Sequence, residues 1–185
     1  MKAVAGRKEM SQRITEQPCR SLWRGLFFAL ILAAVTIFAY RPAWHGGFLW
    51  DDDVYITNNE LLTAPDGLGR IWFSLDSPSQ YFPLVYTTFR IEHAVWGLDP
   101  TGYHWVNLLL HIGNALLVWL VLARLKVPGA WLAGAIFALH PVQVESVAWI
   151  TERKNVLMGF FCNHKIKNNA AGSVQAVVLA ESANR

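Results

Sequence analysis

Apolar residues gather in three runs along the chain, and each run poses a different problem of length and interruption. The first, Gly25 to Tyr40, is bracketed by Arg24 and Arg41. Cationic side chains at both ends reach the two interfaces of a bilayer and so extend an apolar core slightly short for a span. The second, Tyr103 to Ala123, carries no charge and closes on Arg124 and Lys126. The third, Gly129 to Ile150, is interrupted by His140, Pro141 and Glu145. A proline there ends or kinks a helix and frees backbone carbonyls that need polar surroundings. HPVQVES is therefore expected to line a cavity, with His140 and Glu145 facing it.

Residues 41–102, between the first two runs, are rich in Trp and broken by Pro and Gly, yet they keep helical periodicity. Leu68, Ile71, Trp72 and Leu75 fall at i, i+3, i+4 and i+7. A second stripe of Phe82, Val85, Tyr86, Phe89, His93 and Trp96 follows Pro83, a residue suited to a first helical turn. These spacings predict two short helices lying on the membrane, with Trp44, Trp50, Trp72, Trp96 and Trp105 as interfacial anchors or as packing against neighbours. His104 and His111, seven apart, share one face of the second run. Without a third ligand they read as hydrogen-bonded packing residues rather than a metal site.

Composition agrees with a membrane protein: 54% hydrophobic and 16% charged residues are too apolar for an ordinary soluble domain of 185 residues. Charge then orients it. Up to Arg24 the chain carries Lys2, Arg7, Lys8, Arg13, Arg20 and Arg24 against Glu9 and Glu16, which places the amino terminus in the cytoplasm. RPAWHGGFLW lacks a small-x-small cleavage site, so the first run is expected to stay as a signal anchor. No basic recognition motif points to nucleic acid. Cys19 and Cys162 lie too far apart in sequence, with no ligand spacing, to read as a disulfide framework or a zinc site.

Two charged clusters are the candidate chemistry. Asp51, Asp52 and Asp53 stand together just beyond the first run. Crowded carboxylates beside a membrane are costly, so they bind a cation, move a proton or point into water, and mutual repulsion is expected to raise at least one pKa. Their DxD pattern admits a divalent metal, although nothing around it resembles a nucleotide-sugar-binding α/β domain. Alternating spans place Arg153 and Lys154 outside, against the usual charge bias. That position invites an anionic partner such as a lipid phosphate, with neutralisation by Glu152 and Glu145 as the competing reading.

Three blocks carry a family resemblance: FLWDDDVYITNNELL, then YFPLVYTTFRIEHAVWGLDPTGYHWVNLLLH, then ALHPVQVESVAWITERKNVL. From about Phe48 to Met158 the chain resembles the amino-terminal membrane region of the transmembrane and tetratricopeptide-repeat proteins. These belong to the GT-C glycosyltransferase superfamily and are related to the protein O-mannosyltransferases. The resemblance implies transfer of a sugar from a polyprenyl-phosphate donor to a protein or peptide acceptor at the external face. Asp51 and Asp52 match the acidic pair that serves as general base and acceptor-binding group. Arg153 and Lys154 would bind the donor phosphate, with His140 and Glu145 lining the cavity between.

The expected fold is an all-α integral membrane protein, a GT-C-like fragment with about three transmembrane helices and interfacial helices in a long first external loop. Its divisions are a cytoplasmic tail over residues 1–24, spans at 25–40, 103–123 and 129–150, an external loop at 41–102, and an external basic pair with a divergent polar tail at 151–185. Beyond NVLMGFF the apolar run stops and no period of about 34 residues follows, so the chain reads as a truncated, inactive enzyme of the bacterial inner membrane. A non-catalytic membrane anchor for a protein-binding repeat scaffold is the alternative, and a transporter fragment a weaker third.

Overall fold

A computed structural model describes residues 22–74 and 80–183, with side chains through residue 169. Most of the expected cytoplasmic tail, and Leu75 of the first stripe, lie outside the described residues. Among these, all regular structure is helical, and two helices are long and apolar enough to cross a membrane. They are α1, Leu22–Ala39, and α4, Pro100–Arg124.

The third apolar run does not form one continuous helix. It divides into α5, Ala130–Leu139, and α6, Gln143–Ala148, around Pro141. Ten residues rise only about 15 Å against a hydrocarbon core of about 30 Å, so neither piece spans alone. The polar tail begins within a long helix, α7, Arg153–Ala183.

Helix α4 is the hub. Asp99 caps its start by accepting from the Thr101 N–H at 3.0 Å, with Pro100 in the first turn. Leu32 of α1 packs with Ala115 of α4 and with Ala135 and Ala138 of α5. The Trp131 indole donates to the Phe28 carbonyl at 3.1 Å, while Tyr40 meets His111 edge-on. Thus α1 and α5 run alongside each other and antiparallel to α4. Gly134 sits so close to Trp119 and the Ala115 carbonyl that a Cβ there would lie about 3 Å from both. Helix α7 runs parallel to α4, from Arg153 beside Asn107 to Lys167 beside Arg124.

The segment between α1 and α4 folds as a small apolar cap. Helix α2, Gly67–Phe73, and helix α3, Pro83–Trp96, enclose Tyr55, Ile56, Leu61, Leu62, Ile71, Val85, Tyr86 and Phe89 together with Tyr103 and Ile150. Arg90 ties the turn before α2 by donating to the carbonyls of Leu61 at 2.6 Å and Ala64 at 2.7 Å. Gly97, at φ 58°, ends α3 in a backbone conformation that favours glycine. The predicted stripe of α3 holds at Val85, Tyr86 and Phe89. The buried residue of its next turn, however, is Glu92 rather than His93.

Candidate functional site

The Pro141 break determines where the polar groups of α4 go. With the helix ended at Leu139, the Ala138 carbonyl loses its regular donor, because the Val142 N–H turns to Nδ1 of His140 at 3.2 Å. Nε2 of His111 takes that carbonyl at 3.0 Å. One turn earlier, Nδ2 of Asn107 reaches the carbonyls of Val147, Trp149 and Ile150 at 3.1–3.4 Å, where α6 gives way to a 3₁₀ turn. His104 contacts the Gly46 carbonyl through Nε2 at 3.1 Å. Both histidines therefore act on backbone acceptors, as their spacing implied. A cavity of about 460 Å³ lies at the break, but its walls include Pro141, Val144, Ala148, Leu49 and His104. His140 and Glu145, expected to line it, are exposed and are not among its walls.

The three aspartates diverge. Asp52 is buried, with Oδ2 accepting from the Leu49 N–H at 2.9 Å and Oδ1 from the Thr151 N–H at 3.0 Å. One carboxylate thus bolts the acidic loop to the segment entering α7, some hundred residues away in sequence. Burial pushes its pKa up, and the two N–H donors hold that rise back. Desolvation, not repulsion from its neighbours, is the leading cause. Asp53 is exposed and accepts from the Thr57 hydroxyl at 3.0 Å. Asp51 is exposed, and its backbone carbonyl receives the Val54 and Tyr55 N–H groups at 3.0 Å each. Among the described residues no three potential metal ligands converge.

Before Asp51 the backbone is unusual. Trp50 has φ 46°, a left-handed conformation rare for a bulky residue, and its ring meets Trp149 edge-on at 5.2 Å. A backbone outlier of this kind persists only where the surroundings over-determine it. Here the Asp52 bolt and the Trp149 contact do so on either side.

The basic pair separates as well. Arg153 is fully buried and spends its donors within the protein: Nε on Asn107 at 2.7 Å, Nη1 on Glu92 and on Thr88 at 3.2 Å, and Nη2 on the Tyr103 carbonyl at 3.0 Å. Its Cζ lies 4.6 Å from the Phe89 ring centroid. Sequence order placed Arg153 facing an external phosphate; in the fold it faces inward, paired with a glutamate 61 residues away. Burial lifts Glu92 to about 7 against the pull of that guanidinium. Lys154 remains part exposed, 2.8 Å from Glu152, beside a groove of about 510 Å³ lined by Phe82, Leu84, Leu157, Met158 and Phe161.

Glu92, Asn107 and Thr151 are thus structural partners that the motifs did not single out. A signal existed for Asn107: with His111 and Asn114 it forms a polar stripe at i, i+4 and i+7 inside an otherwise apolar span. Asn114 donates to the Val156 carbonyl of α7 at 2.8 Å and completes that stripe.

No family profile and no solved structure matches the chain. Several curated proteins do. The human protein O-mannosyl-transferase TMTC4 is 32% identical over 157 residues, covering 71% of this chain and 21% of that protein. Mouse protein O-mannosyl-transferase TMTC2 is 34% identical over 143 residues, covering 71% and 17%. The Caenorhabditis elegans protein O-mannosyl-transferase F38B6.6 is 30% identical over 172 residues, covering 85% and 25%. The chain spans about a fifth of the length of these relatives. All three are eukaryotic and lend no support to a bacterial inner membrane. Over most of its length, this chain matches a region of the protein O-mannosyl-transferase TMTC family.

Proposed function

We propose that the chain forms part of a membrane glycosyltransferase of the GT-C kind, which moves a hexose from a polyprenyl phosphate to a hydroxyl of a protein acceptor at the external face. The amino terminus is cytoplasmic, α1 and α4 cross the bilayer, and α5 and α6 together retrace the length of α4 as a broken third span. Asp51 is the general base. The acceptor oxygen attacks the anomeric carbon as the bond to the phosphate oxygen breaks, Asp51 takes the hydroxyl proton, and the phosphate leaves with the bonding pair. Lys154 is the better placed of the two cations to meet that phosphate, because Arg153 is occupied.

One observation carries this reading: Asp51 stands exposed on a turn whose backbone is held from both sides, by the buried Asp52 carboxylate and by the Trp50–Trp149 contact. The roles of the acidic pair therefore divide, with Asp51 reacting and Asp52 positioning. The relatives' names support the same chemistry.

The test is sugar transfer in membranes from a full-length relative carrying the equivalent of Asp51→Asn. Removing a general base lowers the rate by roughly a hundredfold or more. A rate within a few fold of the parent would assign the base elsewhere. One observation favours the non-catalytic anchor instead, namely that Arg153 and Lys154 are both paired with glutamates. The same experiment separates the two readings.

A further inference from the structure

We propose that the indole of Trp50 is the platform on which the transferred hexose ring stacks, a role that rests on the glycosyltransferase reading of the Asp51 loop. Trp50 is 79% exposed although its neighbours Asp52, Tyr55 and Ile56 are buried. A bulky aromatic residue on a left-handed backbone is costly in conformation. Trp149 holds it from one side only, edge-on at 83° and 5.2 Å, which steadies the indole while leaving ring surface exposed. The adjacent residue is the exposed Asp51.

A pyranose carries C–H groups on one face and hydroxyls around its rim. The weakly positive C–H face suits the negative π face of an indole, and the rim hydroxyls suit a carboxylate. Trp50 and Asp51 are consecutive and both exposed, so the loop carries both kinds of group. In an inverting displacement the acceptor hydroxyl sits between the base and the anomeric carbon, so the donor ring lies one acceptor group away from Asp51, the residue that follows Trp50.

The other tryptophans of the external segment are engaged differently. Trp44 and Trp105 pack against each other, tilted, with ring centroids 4.8 Å apart, Trp72 donates to the Thr87 hydroxyl at 3.0 Å, and Trp96 packs against Tyr103 and over Gly102. Trp23 is the other strongly exposed indole, at 68%. It lies at the opposite end of α1 and serves as a control.

The experiment is saturation-transfer NMR of the chain in nanodiscs, free of glycosidic detergent, with methyl mannoside as the probe. Transfer to the sugar ring protons is expected in the parent and in Trp23→Leu. It should fall about tenfold in Trp50→Leu and persist in Trp50→Phe, which keeps an aromatic face. Far-UV circular dichroism checks that each variant stays helical. Absence of transfer in the parent, or equal transfer in Trp50→Leu, overturns the proposal. Asp51→Asn should keep part of the sugar signal, because the indole face is unchanged and the amide still offers one acceptor to a rim hydroxyl. If that variant also keeps its transferase activity in the full-length relative, the base assignment fails while the platform stands.

Discussion

Replacing Asp52 by Asn is the sharpest perturbation of the acidic loop, because it changes almost no volume and reverses one hydrogen-bonding edge. Each carboxylate oxygen of Asp52 accepts one backbone N–H, from Leu49 and from Thr151. An amide can accept only one of them and turns an NH₂ group toward the other. A charge-assisted hydrogen bond is worth about 1.5–3 kcal/mol and an unsatisfied buried donor costs about 1–3 kcal/mol. Against this, the amide escapes the desolvation that raises the Asp52 pKa. The net expectation is a loss of about 2 kcal/mol, roughly thirtyfold in the folding equilibrium. Asp51→Asn, at an exposed position, should stay within about 0.5 kcal/mol of the parent. Unfolding by sodium dodecyl sulfate in mixed micelles, followed by circular dichroism, measures both. Hydrogen exchange at the Leu49 and Thr151 amides shows whether the loss is local. Equal stability of the two variants would refute the division of roles between Asp51 and Asp52.

Three further outcomes follow from the same geometry. Asn107→Leu should cost about 3 kcal/mol in the same unfolding assay, because it strips three carbonyls and Nε of Arg153 of their partner while adding apolar surface to α4. Glu92 binds its proton more tightly folded than unfolded, with its pKa moved from 4.5 to about 7. Its contribution to stability is therefore full below about 4.5 and is lost as pH rises through 7; an unfolding midpoint that rises over that window would contradict the assignment. In a variant lacking Cys19 and Cys162, a single cysteine near Asp66 should react with a membrane-impermeant maleimide in intact cells and one near Arg124 should not, the reverse pattern sinking the orientation.

Much of the helical framework was legible because it depends on neighbours in sequence. Charge-free Tyr103–Ala123 became the core of α4, and Pro83 opened α3 with Val85, Tyr86 and Phe89 on its buried face. His104 and His111 took the backbone partners that a seven-residue spacing without a third ligand implies. The failures involve distant partners. Arg153 reads as a free external cation until α3 delivers Glu92 beside it, and three consecutive aspartates look equivalent until Thr151 claims one of them. The division of the third run needed a different weighing. Pro141 announced a break, but only the donors waiting on α4 make a full stop less costly than a kink.

The polar stripe of α4 also restricts which segments can lie beside it. A lone helix with Asn107, His111 and Asn114 on one side is poorly suited to lipid, and in the fold those side chains meet carbonyls of α5, of the end of α6 and the turn after it, and of α7. Those carbonyls occur at set heights, one at the end of α5, three from the end of α6 into the turn after it, and one in the first turn of α7. Another apolar helix drifting past offers no such sequence of acceptors. The stripe therefore distinguishes these segments from an uninterrupted apolar helix as neighbours of α4.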